Sequence, residues 1–140
     1  MVARIQVTFD CWNVHMQAAW WAERLGYEVE DHHDVVRTLL DDSVITPDDI
    51  TTVGGRLAFA MAAAARDPAG VGPRLFFQGV EEKKTAKNRV HLDISRGDLG
   101  LEDAVATYVD AGASLMAYCE HPGHRWAVMT DPEGNEFCVQ

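Results

Sequence analysis

Basic side chains are scarce in this sequence. Twelve lysines and arginines face 22 aspartates and glutamates, for a formal net charge of −10. A chain this poor in clustered cations does not track a phosphate backbone, so a nucleic-acid partner is excluded. The one basic stretch, Glu81-Glu82-Lys83-Lys84-Thr85-Ala86-Lys87-Asn88-Arg89, is short and mixed in sign and reads as a solvated loop. Cysteine is sparse too. Cys11, Cys119 and Cys138 are widely spaced and form no CxxC pair, so a disulfide framework is not expected and reduced thiols in a cytosol are. No apolar run approaches the length of a membrane span, and Met1 to Asp10 alternates like a strand instead of forming an apolar signal core. The expectation is a cytoplasmic protein with no membrane partner. HExxH, a phosphate loop and a nucleophile elbow are all missing, and Gly97-Asp98-Leu99-Gly100 does not extend to a dinucleotide fingerprint.

What is present is a globular balance, 47% hydrophobic and 24% charged residues, with a pattern that recurs. Arg4 to Asp10 alternates apolar and polar and predicts a strand. Asn13 can cap a helix over about Val14 to Leu25, with Met16, Ala19 and Trp20 facing a core and Gly26 ending it. Tyr27 to Glu30 begins another strand. From Arg89 the order repeats: a strand over Arg89 to Ser95, a helix capped by Asp98 and running to about Ala111, Gly112, then a strand from Ala113. Leu101, Val105, Tyr108 and Val109 make the apolar face of that helix.

The ends of the two halves also match. Asp67-Pro68-Ala69-Gly70 precedes the alternating run Pro73 to Gln78, and Asp131-Pro132-Glu133-Gly134 precedes Asn135 to Gln140. Asp-Pro-x-Gly turns because proline fixes φ and glycine supplies a positive one. Two such turns at matching places mark an internal repeat. Module one is then about residues 1–80 and module two about 88–140 of a single domain. The first module is longer by an insertion of roughly twenty residues within 32–65, too long for a bare hairpin loop of 2–5 residues. Asp34 to Asp42 has helical spacing, Thr46-Pro47-Asp48-Asp49 looks like a second helix start, Gly54-Gly55 is a break, and Arg56 to Ala60 suits a strand. Ala62 to Ala65 fits either a helix, by composition, or a strand, by its place in the repeat.

The segments Gln6 to Asp10, Trp20-Trp21-Ala22-Glu23-Arg24-Leu25-Gly26-Tyr27-Glu28, His91-Leu92-Asp93 and Asp131 to Cys138 resemble the glyoxalase-like branch of the vicinal oxygen chelate superfamily, the glyoxalase/bleomycin resistance protein/dioxygenase type. The likeness spans nearly the whole chain outside the insertion. It implies an α+β fold of two tandem βαβββ modules, with curved mixed sheets around a cleft and a helical insertion in module one. It also implies a small-molecule ligand and a homodimer as the assembly to look for. In metal-using relatives four strand positions supply ligands, and here they fall on Gln6, Phe76, His91 and Cys138. Phenylalanine cannot bind a metal, so no cofactor is favoured. A divalent metal, if used, would fall to Gln6, His91 and Cys138.

His91 and Asp93 are two apart on a strand and share a face, as do Gln6 and Thr8. His91 is the candidate catalytic residue, a proton carrier near neutral pH. Gln6, Thr8, Phe76, Asp93, Trp126, Glu136 and Cys138 are the candidate ligand-binding residues. His121-Pro122-Gly123-His124 reads as an exposed turn, and His32-His33 as a junction between elements. The expected function is a glyoxalase-like small-molecule-binding protein acting as a metal-independent enzyme or a binder. Two alternatives stay open: a metal-dependent lyase, isomerase or dioxygenase, and an antibiotic-sequestering resistance protein, whose acidity would suit a cationic ligand.

Overall fold

A computed structural model describes residues 1–140, which divide into two compact units, 1–83 and 84–140. Unit one runs β1 (Gln6–Cys11), α1 (Val14–Leu25), β2 (Glu28–Val29), α2 (His33–Asp41), β3 (Ile50–Val53), β4 (Arg56–Phe59), β5 (Ala62–Arg66) and β6 (Arg74–Gly79). Unit two runs β7 (Leu92–Ile94), α3 (Leu101–Asp110), β8 (Ser114–His121), β9 (His124–Thr130) and β10 (Glu136–Val139). The sheet orders are β1-β6-β5-β2 and β7-β10-β9-β8. They are the same mixed topology twice. In each, the first strand pairs in parallel with the last, and the remaining pairs are antiparallel. The repeat predicted from the turns is therefore a repeat of topology.

The register carries the match to single residues. Thr8 stands opposite Phe76, and Asp93 opposite Cys138. Gln6 and His91 lie two residues before Thr8 and Asp93. Both turns are built alike as well. Asp67 accepts backbone N–H bonds from Ala69 (2.8 Å), Val71 (3.0 Å) and Gly72 (2.7 Å). The buried Asp131 accepts from Glu133 (2.9 Å) and Asn135 (3.0 Å). Gly70 and Gly134 supply the positive φ, +69° and +90°.

Alternation puts Val7, Phe9, Leu75, Phe77, Ala63 and Ala65 on one face of the first sheet, where α1 packs. Phe9 lies against Trp21 (5.2 Å between ring centroids) and Phe77 (5.3 Å), and Phe77 is fully buried. In unit two, Tyr108 of α3 meets Phe137 of β10 at 5.3 Å. Burying one such aromatic contributes about 1.5–3 kcal/mol. The opposite face of each sheet stays free of its own helix and carries the polar residues of interest.

Several expectations change. The buried face of α1 is Val14, Gln17, Ala18, Trp21 and Ala22, with Trp20, while Met16 and Ala19 are exposed. Of the expected core positions Met16, Ala19 and Trp20, only Trp20 is buried, and Trp21 lies deeper still. Asp98 does not cap α3; Gly100 is its N-cap, and Val109 is exposed. The strand expected from Arg89 begins only at Leu92, leaving His91 just before it. The helix start at Thr46 yields one turn of 3₁₀ helix, Pro47–Asp49, closed by a capping box in which Asp49 accepts from the Thr46 N–H at 2.8 Å. The insertion is α2 plus the β3–β4 hairpin, whose turn uses Gly54 and Gly55 at φ +55° and +79°. Ala62–Arg66 lies outside it and is a sheet strand, held between β2 and β6.

Candidate functional site

In unit two, the face away from α3 gathers most of the predicted residues. Parallel pairing with β7 sets Asp93 beside Cys138, and antiparallel pairing with β9 sets Cys138 beside Val128. Trp126, two residues from Val128, and Glu136, two from Cys138, fall on that face by alternation. His91 Nδ1 lies 3.0 Å from Asp93 Oδ1 and 4.0 Å from Cys138 Sγ. One donor atom from each of His91, Asp93 and Cys138 lies within 4.8 Å of the others. His91 and Asp93 are exposed and Cys138 is buried. Burial pushes the Cys138 thiol up from its ordinary value and the nearby Asp93 carboxylate adds to this, so the sulfur is held as a neutral thiol.

Glu136 is tied from outside the sheet. It accepts the Asn88 N–H at 3.1 Å and pairs with Lys84 at 3.0 Å. Burial alone would raise this carboxyl, but Lys84 and the Asn88 N–H hold it below the usual value. The basic stretch is therefore more than a solvated loop, since it straps Glu136. Trp126 is half-buried, with His121 and His124 stacked on it at 5.5 and 5.2 Å. The two histidines of the β8–β9 turn thus act as ring partners.

In unit one, Gln6, Thr8, Arg74 and Phe76 share the face away from α1. Arg74 was not anticipated, and it organises this face. Its Nε and Nη2 donate to Glu30 at 2.7 Å each, its Nη1 donates to Gln6 Oε1 at 2.7 Å, and its guanidinium lies 5.6 Å from the Phe76 ring centroid. Glu30 also meets His32 Nε2 at 3.1 Å. The Arg74 hydrogen bonds hold the Glu30 carboxyl below its ordinary value, and Glu30 in turn raises Arg74. These partners are 44 and 68 residues apart in sequence, and no local pattern announces them. A pocket of about 220 Å³, lined by His15, Leu57 and Ala63 among others, opens beside the inserted hairpin; it shares Glu30 and His32 with this network and contains none of the predicted residues.

The four-position metal set does not fit this chain. Phe76 offers no donor atom, and the Gln6 oxygen already accepts from a guanidinium, so a second cation there would face a fixed positive charge. The remaining donor cluster is His91, Asp93 and Cys138, with Asp93 in a role the sequence did not give it.

A repeated βαβββ topology with polar faces of this kind defines a class, and comparison with known proteins names it. The family model for the glyoxalase-like domain matches residues 6–140, and the chain belongs to that family. No curated protein matches the sequence. Among solved structures, the fosfomycin resistance protein FosX from Mesorhizobium loti aligns at TM-score 0.61 and 11% identity, covering 100% of this chain and 92% of that one. A glyoxalase/bleomycin resistance protein/dioxygenase family enzyme from Burkholderia phytofirmans PsJN aligns at TM-score 0.59 and 16% identity, covering 96% and 94%. A mutant FosX from Listeria monocytogenes, complexed with Mn(II) and 1S,2S-dihydroxypropylphosphonic acid, aligns at TM-score 0.62 and 9% identity, covering 100% and 92%. At these identities the likeness is one of fold.

Proposed function

We propose that this chain binds a small molecule and moves a proton on it without a metal, with His91 as the proton carrier. The observation that carries this reading is the 3.0 Å contact between His91 Nδ1 and Asp93 Oδ1. A carboxylate accepting the Nδ1 proton fixes the ring and leaves Nε2 as the basic atom. The neutral Cys138 thiol beside it adds a small, weakly polar wall and no second charge. Trp126, with His121 and His124 stacked against it, adds an aromatic cluster on the same sheet face. The reading treats the protein as cytoplasmic and homodimeric.

A second reading has its own observation, the donor atoms of His91, Asp93 and Cys138 lying within 4.8 Å of one another. A histidine nitrogen, a cysteine sulfur that would lose its proton on binding a metal, and a carboxylate suit zinc better than magnesium or calcium. Elemental analysis of protein purified without chelator separates the two. The first reading expects no stoichiometric transition metal and no thermal shift with zinc, nickel or iron. A bound metal lost in His91→Ala would replace it with the second.

Thermal-shift screening against metabolites and antibiotics then finds the ligand, because binding to the folded state raises apparent stability. With that ligand, His91→Ala is expected to lower turnover by roughly 100-fold or more, the usual range for a general acid–base. Turnover and binding both unchanged in His91→Ala would remove His91 from the mechanism. If the ligand proves to be an antibiotic bound without turnover, the protein sequesters it.

A further inference from the structure

We infer that Arg74 forms an oxyanion-binding site in unit one, one that takes a small carboxylate- or phosphate-type group at the free end of its guanidinium. This site stands on unit-one geometry alone and does not depend on the role given to His91.

A guanidinium has five N–H groups. Glu30 takes two of them along the Nε edge, at 2.7 Å each, and Gln6 takes one from Nη1. The two left over are on Nη1 and Nη2, and the side chain keeps 37% of its surface exposed. Three anchored N–H groups and the Phe76 ring fix the plane, so little rotamer freedom remains to be lost when an anion docks. The Glu30 carboxylate sits on the Nε edge, away from the free end, and shares its charge with His32 Nε2.

A second cation stands one strand away. Ala65 pairs with Leu75, so the next residues, Arg66 and Arg74, fall opposite each other on the same face. Arg66 is 62% exposed and keeps only a 3.2 Å bond to Glu28. Two arginines in register on adjacent strands, paired with Glu28 and Glu30 yet each keeping unused N–H groups, match an oxyanion, which Arg forks bind through paired hydrogen bonds. A purely structural ion pair would need only the Glu30 edge.

The test is a titration of the native full chain, ¹⁵N-labelled at arginine side chains, with inorganic phosphate and with acetate at constant ionic strength. The expected result is a saturable shift of the Arg74 Nε–H signal, with a weaker response in Arg66. Arg74→Lys keeps the charge but loses the fork and is expected to weaken binding at least about fivefold; Arg74→Met abolishes it. Saturation by phosphate only, or by acetate only, tells which oxyanion the site takes. An Arg74 signal that moves no more than with sodium chloride overturns the proposal, as does unchanged affinity in Arg74→Lys. The native titration reads the site even if a variant fails to fold.

Discussion

Asp131 is 3% exposed and gathers the turn before β10 around one carboxylate: Oδ1 accepts from Glu133 and Asn135 N–H groups, and Oδ2 from the Asn135 side chain. Removing it leaves three part-buried donors without this acceptor, so Asp131→Ala is expected to cost about 1–3 kcal/mol, read by urea denaturation. Glu30 gives a pH prediction. Arg74 holds its carboxyl below the ordinary 4.5 in the folded protein. A depressed folded value means the stabilisation is fully present above the unfolded value and is lost as pH falls through the folded one. Glu30→Gln is therefore expected to flatten part of the acid limb of stability below about pH 4.5 while leaving the neutral plateau lower, measured by melting temperature against pH. The flattening is partial because Asp31, Asp49, Asp67, Glu102 and Glu136 are also depressed. At this scale the sequence was legible where chemistry is local. His91 and Asp93 are two residues apart, one just before β7 and one within it, and the structure joins them. Arg74, Glu30 and Gln6 are joined only by folding, so residue patterns did not reveal them.

Among the elements, those with a strong local signal were read correctly. Asn13 caps α1 by accepting the Met16 N–H at 3.0 Å, and Gly26 closes it at φ +67°. The four alanines of β5 had no decisive local signal. Their state is set by β2 and β6 on either side, a tertiary choice that overrides helix propensity. The phase of α1 failed for a related reason. Trp20 and Trp21 are adjacent, both are buried, and only packing against Phe9 shows that Trp21 is the deeper one. In the insertion, α2 reaches the hairpin through His33, whose Nδ1 accepts the Leu57 N–H at 2.8 Å. His33→Ala removes that acceptor and is expected to speed Leu57 amide exchange by roughly fivefold, the effect of losing about 1 kcal/mol of local protection. An unchanged Leu57 rate would show that the β3–β4 ladder alone holds the hairpin.

For the whole molecule, the division at 83/84 falls inside a run of exposed residues from Glu81 to Lys87. Each unit has its own sheet and helix on either side of it. Exposed backbone with few local contacts is where proteases cut first. Brief trypsin treatment is expected to cleave first between Lys83 and Arg89 and leave two fragments, identified by mass spectrometry. A first cut inside the α2–β4 insertion would mean that the insertion opens more easily than the junction. The tandem architecture was legible because Asp-Pro-x-Gly recurs at matching places. That His91, Asp93 and Cys138 come together was legible in the repeat, but the tie from Lys84 to Glu136 was not, since the two are distant in sequence.

The parallel pairing of the first and last strand in each module also bears on how the chain is made. β1 emerges from the ribosome well before β6, and the insertion lies between them. At about 5–20 residues per second, Phe9 and the rest of β1 wait several seconds for their partner strand. The equilibrium penalty of the longer closure is small, since each doubling of loop length adds only about 0.6 kcal/mol. The kinetic exposure is not small, because an unpaired apolar strand is a template for association. The inserted residues thus lengthen the interval in which the nascent first module needs protection, while the second, with its shorter span from β7 to β10, closes sooner after its first strand appears.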